Sequence, residues 1–258
     1  MKTSTLANMI DHQTKLFTSE DSPTCEYCGR KLKRNTFFNT YRGRFQSFGW
    51  IECDCEGAKQ ARAAKEKAQQ SELAQERERK RKRMLQKAGI GLRYIDAYTP
   101  NCEELADKIL TEKCNLFITG NVGSGKTYLA SAILRELVLK TTCRFTYFNT
   151  LINDLMRYHD ETAGDLMSAC KGCGVLAIDD MGKENISDFV VSQIFELVNE
   201  RNANMRPIII TSNYTVNELG KRIASKGNAE TAKAIISRLT DDCKILTLQH
   251  EDRRKNSN

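Results

Sequence analysis

The sequence predicts an α/β protein in which a parallel sheet is flanked by helices, and three observations carry that prediction. Short apolar runs rich in β-branched and aromatic residues recur: "NLFITG" (115–120), "RFTYFNT" (144–150), "GVLAIDD" (174–180) and "RPIIITSN" (206–213). They lack the alternation of a half-exposed strand, so each is expected to be buried on both faces. Helices with apolar periodicity, among them "KTYLASAILRELVLK" (126–140) and "SDFVVSQIFELVNERN" (187–202), separate them, as crossovers between parallel strands require.

Length and composition bound what surrounds this sheet. The 258 residues suffice for one full domain and a smaller appendage. No apolar run reaches the ~18 residues of a membrane-spanning helix, and the polar opening "MKTSTLANMIDHQTKLF" does not read as a secretory signal. The expectation is a cytoplasmic protein without a membrane partner, whose ten cysteines are reduced or metal-bound rather than paired in disulfides. The formal charge of +7 is unevenly spread, which admits a polyanionic partner without requiring one.

Residues 1–57 are expected to form the appendage. Cys25-x-x-Cys28 and Cys53-x-Cys55 are two close pairs; thiolates so paired complete a tetrahedral Zn²⁺ shell, and in a module too small for its own core the metal supplies folding free energy. Gly29 permits the backbone turn behind the second sulfur. Free or redox-active thiols are the alternative. Between the pairs, Phe37, Phe38, Tyr41, Phe45, Phe48 and Trp50 are interleaved with Arg34, Arg42 and Arg44. Such a mixture stacks on bases, anchors a protein partner or fills a small hairpin's own core, and the last is expected for most of these rings.

Residues 58–88 are expected to be a basic connecting helix. From Glu56 to Lys87 the chain is rich in Ala, Glu, Gln, Lys and Arg and free of proline, and Gly89 is a stop signal. Without a sustained apolar seam it should be exposed rather than part of a long coiled coil. The run "RERKRKR" (77–83) is either a solvated helix face or a contact to phosphate backbones.

Residues 89–258 carry the sheet and the chemistry. Gly120, Asn121, Val122, Gly123, Ser124, Gly125, Lys126 and Thr127 spell G-x-x-x-x-G-K-[ST] between a strand and a helix. In that context the glycines turn backbone amides inward around phosphates at a helix N-terminus. Lys126 would reach the β- and γ-phosphates of ATP, and Thr127 would place its hydroxyl on Mg²⁺. "VLAIDDMG" supplies a second anchor: Asp179 would hold the Mg²⁺ through water and Asp180 would polarise the attacking water as general base. Asn213, ending the fourth run, could orient that water and sense the γ-phosphate; taken alone, "TSN" after a strand is more often a plain turn or helix cap. Cys170-Lys-Gly-Cys173 has no second pair nearby and should be a loop with ordinary thiols. In 151–170, Leu151, Leu155 and Met156 should face the core of an amphipathic helix, with His159 at the surface.

Taken in order, GNVGSGKT, LAIDDMG, IIITSNYT and ISRL resemble the AAA+ ATPases of the DnaC/DnaI helicase-loader type and the related IstB transposition helpers, over roughly residues 89–248. The resemblance implies an AAA+ P-loop NTPase fold. It makes Asn213 the first sensor and Arg238 an arginine finger offered in trans to a neighbouring subunit, so that the protein works as a homo-oligomer. Twenty residues follow Arg238, which is expected to be too few for the C-terminal helical lid of many AAA+ proteins. It further implies loading of a replicative hexameric DNA helicase onto single-stranded DNA, with the N-terminal zinc module gripping the helicase. The alternatives are a helper of DNA transposition and a nucleic-acid-binding zinc protein in which nucleotide is only structural.

Overall fold

The protein's computed structural model describes residues 22–39, 44–156, 163–183, 186–225 and 228–249. The chain divides into two compact units, residues 1–76 and 77–258.

In the first unit, strands β1 (Lys33–Asn39) and β2 (Arg44–Ile51) pair antiparallel, with a register irregularity between Arg34 and Thr36. Before them the chain folds into a knuckle. The Cys25 amide donates to the Arg30 carbonyl and the Gly29 amide to the Cys25 carbonyl, both at 2.8 Å. Gly29 has φ 69°, left-handed backbone that glycine adopts without a steric penalty. Helix α1 (Glu56–Ala88) follows, and Gly89 at φ 98° ends it. Gly57 is needed for contact, since a Cβ there would stand 2.7 Å from Tyr27 Cβ.

The division between units falls inside α1, and its last turns belong to the second unit. Leu85 and Ala88 are buried there. Arg81 pairs with Glu78 and Glu136, and Arg135 joins the same two carboxylates. Lys82 pairs with Asp96 at 2.8 Å. Part of the basic run is therefore engaged within the protein, while Arg77, Arg79, Lys80 and Arg83 are exposed.

The second unit is a sheet with helices on both faces. Its elements are a 3₁₀ turn (Leu92–Tyr94), α2 (Cys102–Glu112), β3 (Asn115–Gly120), α3 (Lys126–Leu137), β4 (Cys143–Tyr147), α4 (Phe148–Met156), α5 (Ala163–Gly172), β5 (Val175–Asp179), α6 (Asp188–Ala203), β6 (Ile208–Ser212), α7 (Val216–Ala224), α8 (Ala229–Thr240) and β7 (Cys243–Leu248). The strands run parallel in the order β4-β5-β6-β3-β7. Alternate residues enter opposite core layers. Phe117, Leu176, Ile178, Ile208 and Ile210 join the layer containing α4 to α8, whereas Leu116, Ile118, Val175, Ala177 and Ile209 join the layer with α2, α3 and the end of α1. At ~1.5–3 kcal/mol per fully buried large aliphatic or aromatic side chain, this two-sided burial is the main force holding the unit together.

The predicted α/β sheet is present, with two differences in its elements. The run 144–150 is not one strand: β4 ends at Tyr147 and Phe148 opens α4, where it is buried with Leu151, Ile152 and Leu155 in the same core layer. A fifth strand, β7, pairs with β3 from Asn115↔Cys243 to Gly120↔Leu248. It escapes a search for buried runs because an edge strand has one neighbour and here is only partly covered.

Two further expectations are corrected. Met156 is 53% exposed, although Leu151 and Leu155 are buried as expected; His159 lies outside the described residues. Cys170 is not in a loop but in α5, with Cys173 just beyond the helix end. Both thiols are buried, and burial pushes Cys170 up to about 12. Around them lies a device invisible in the sequence. Arg201 of α6 is fully buried and donates to the carbonyls of Cys170 (2.6 Å), Cys173 (2.9 Å), Gly174 (3.3 Å) and Pro207 (2.8 Å). One guanidinium thus satisfies the backbone where α5 hands over to β5.

Candidate functional site

Strand β3 leads into the glycine loop and α3 leaves it. A Cβ at Gly120 would stand 2.4 Å from the Leu248 carbonyl, so the edge strand closes against the loop. Gly123 and Gly125 have φ 81° and 94°, values that turn successive amides the same way and disfavour other residues. Lys126, the first residue of α3, is 7% exposed. Its ammonium donates to the carbonyls of Gly120 and Asn121 at 2.8 Å each, so the lysine lies folded across the loop it serves.

Opposite the loop, β5 delivers Asp179 and Asp180. Thr127 Oγ1 lies 3.0 and 2.9 Å from the two Asp179 oxygens, and Thr211 Oγ1 donates to Asp179 Oδ1 at 2.6 Å. Asp179 is buried. That burial lifts its carboxyl above the ordinary range, against the hydrogen bonds from Thr211 and Thr127. A carboxylate held dry beside a hydroxyl at a helix N-terminus is a donor set suited to a hard cation such as Mg²⁺.

Asp180 has φ 62°, an unusual conformation for a residue with a side chain. Its amide is held by the Thr211 hydroxyl at 2.9 Å. One carboxylate oxygen is 2.6 Å from Lys183 Nζ, and the other lies 3.4 Å from Asn213 Nδ2. Lys126, Thr127, Asp179, Asp180 and Asn213 thus border one open cavity of about 510 Å³, which Gly123, Gly125, Thr211, Lys183, Tyr94 and Tyr147 also line.

A second cavity, of about 790 Å³, adjoins the loop on the side of β7; Gly125 and Tyr128 line both. Two hydroxyls in its wall, Thr99 Oγ1 and Ser124 Oγ, are buried and make no hydrogen bond. Such groups are costly to leave unmade unless a ligand completes them.

Arg238 stands apart from both cavities. Its guanidinium lies 4.9 Å from the centre of the Phe195 ring and donates to Asn199 Oδ1 at 2.9 Å. Sequence reasoning missed Thr211, Lys183, Thr99 and the tyrosines. Thr211 left one signal, a polar residue that with Ser212 ends an apolar run.

In the first unit, Cys25, Cys28, Cys53 and Cys55 place their sulfurs within 4.8 Å of one another. Two pairs stand at 3.7 Å (Cys25–Cys55) and 3.5 Å (Cys28–Cys53), close to the ~3.8 Å edge of a tetrahedron with 2.3 Å Zn–S bonds. Hydrogen bonds from the Arg30 backbone and guanidinium hold the Cys28 thiol down to about 6. The donor set and spacing fit a structural zinc. Of the rings expected to fill the hairpin's core, Phe37 is 44% exposed and Trp50 is half-buried beneath Arg34, at 4.9 Å. Tyr41 and Arg42, and the side chains of Phe38, Arg44, Phe45 and Phe48, lie outside the described residues.

Comparison with known proteins places this geometry. Residues 59–258 match the family described as IstB-like ATP binding protein. An uncharacterized protein of Bacillus subtilis, YqaM, is 34% identical over 134 residues, covering 48% of this chain and 42% of that protein. The replicative helicase loader DnaI of Bacillus subtilis is 27% identical over 146 residues, covering 54% of this chain and 47% of the loader. The chain thus spans less than half the length of these two relatives. A crystal structure of DnaI superposes with a TM-score of 0.53 at 21% identity, covering 65% of this chain and 93% of that one, which is a likeness of fold.

Proposed function

Because the chain belongs to the family of IstB-like ATP binding proteins, we propose that it is an ATP-hydrolysing loader that places a replicative hexameric DNA helicase on single-stranded DNA. The observation that carries the nucleotide part is the contact of Thr127 with buried Asp179 beside the glycine loop. The similarity to a helicase loader, together with a cysteine module and a long helix ahead of the ATPase unit, favours loading over transposition. A transposition helper remains the second reading, supported by the family match itself.

The residues divide the work as follows. Amides from Gly123 to Thr127 bind the β-phosphate, and Lys126 exchanges its loop carbonyls for phosphate oxygens. Thr127 and Asp179 are the residues that would hold Mg²⁺, whose chemistry when bound is to neutralise charge developing on the phosphates. Asp180 accepts the proton of the attacking water, and Asn213, next to it, orients that water. The cavity holding Thr99 and Ser124 takes the nucleoside end. Arg238, outside its own cavity, completes the site of a neighbouring copy, where a planar guanidinium stabilises the transition state. Cys25, Cys28, Cys53 and Cys55 hold zinc, and exposed Tyr27 and Phe37 belong to the surface offered to the helicase.

The test is a pull-down of the host's replicative helicase with the full chain, paired with an ATPase assay. The wild type should capture helicase and hydrolyse ATP, more so with single-stranded DNA. Lys126→Ala should abolish nucleotide binding and turnover yet still capture helicase. Capture of a transposase in place of helicase would move the assignment to the second reading.

A further inference from the structure

Lys183 belongs to no motif, yet its ammonium occupies one oxygen of Asp180 at 2.6 Å, in the cavity that also holds Lys126 and Thr127. Both partners are half-exposed, at 43% and 40% for the side chains. An exposed ion pair of this kind contributes little, so the lysine can change partners at small cost. Arg93 lines the same cavity, but its guanidinium lies beside the Tyr94 ring, 5.9 Å from its centre.

We infer that Lys183 distinguishes the triphosphate from the diphosphate by leaving Asp180 for the terminal phosphate. This rests on the nucleotide reading of the cavity given above. If Asp180 is to take a proton from the attacking water, that water must lie within hydrogen-bond reach of Asp180 and against the terminal phosphate, so the phosphate comes about one water molecule's width from the carboxylate. A lysine already touching Asp180 is then a side-chain rotation from the same phosphate. The β-phosphate, held by the loop amides, lies out of that contact, so a diphosphate leaves Lys183 on Asp180. The exchange also releases the Asp180 carboxylate only when the nucleotide to be hydrolysed is bound. A terminal phosphate carries about two negative charges against the one of a carboxylate, which favours the exchange when the triphosphate is bound.

The experiment compares wild-type, Lys183→Met and Lys183→Arg full-length protein with Mg²⁺, titrating fluorescent ADP and a non-hydrolysable ATP analogue. Lys183→Met is expected to weaken the triphosphate analogue about tenfold while ADP affinity stays within about twofold. Lys183→Arg should recover most of the loss. Equal weakening of both nucleotides, or no weakening of either, overturns the inference while leaving the nucleotide site intact. Failure of the wild type to bind either nucleotide overturns the reading of the site, and the inference with it. A thermal melt shows whether any loss follows from unfolding, which a half-exposed side chain gives no reason to expect.

Discussion

The two units are held together by different means. In the second, both faces of the sheet are covered, and strands β3, β5 and β6 carry buried apolar side chains into two core layers. In the first, the buried hydrophobic residues among those described are Cys25 and Ala58, and the hairpin shows Phe37 and Ile51 to solvent. An isolated two-stranded hairpin is marginal in water. What it has instead is four sulfurs at tetrahedral spacing. One unit folds by burial; in the other the four cysteine sulfurs stand where a metal cross-link would fit.

That contrast can be broken most decisively with a chelator. Structural zinc contributes about 10–16 kcal/mol of apparent free energy in small zinc peptides, more than a hairpin of this kind can replace. Stripping the metal should therefore raise amide hydrogen exchange throughout residues 22–55 to unfolded rates while the second unit keeps its protection. Equal protection before and after chelation would mean the hairpin stands without metal.

Next in size is Arg201. Replacing it with Met leaves the carbonyls of Cys170, Cys173 and Gly174 without this donor, at roughly 1–3 kcal/mol for each buried polar group left unsatisfied, while the Pro207 carbonyl keeps the Leu176 amide. Denaturant melts of the second unit should show a loss of about 3 kcal/mol or more, with the cysteine module unchanged. A loss below about 1 kcal/mol would mean that water replaces the guanidinium.

Asp179 is expected to act in the opposite direction. Burial raises its carboxyl above the ordinary range, so the folded protein keeps that proton to higher pH than the unfolded chain does. The associated stability is fully present below the ordinary carboxylate value and is lost as pH rises through the folded value. Without nucleotide, Asp179→Asn should therefore raise the melting temperature at neutral pH, and the difference from wild type should shrink on acidification. The same substitution should lower ATP turnover by about a hundredfold or more, the scale of losing one electrostatic group from a reaction centre. A lower melting temperature at neutral pH would mean that the hydrogen bonds from Thr127 and Thr211 outweigh burial.

The smallest effect belongs to Phe37. Being exposed, it should change to Ser within about 0.5 kcal/mol of wild-type stability while weakening helicase capture in the pull-down.

The sheet and its phosphate loop were legible for one reason each. Buried parallel strands produce uninterrupted apolar runs, and a loop that requires left-handed backbone places glycines at fixed intervals. Gly123, Gly125, Lys126 and Thr127 are contiguous, so their roles follow from local geometry alone. The half-covered β7 lacked the first signal. Phe148, part of an apolar run yet the first residue of α4, imitated it.

The sequence by itself determined the α/β architecture, the loop and the two carboxylates ending β5, because each depends on residues adjacent in the chain. Tertiary structure alone decided what surrounds them. Thr211 reaches Asp179 because β5 and β6 pair in parallel, with Ile178 opposite Ile210. Arg201 is buried because α5 ends against α6, and the exposure of Phe37 and Met156 is likewise set by what packs around them. These outcomes rest on contacts between residues far apart in sequence, whose energies are set by packing and desolvation rather than by the propensities of the residues beside them.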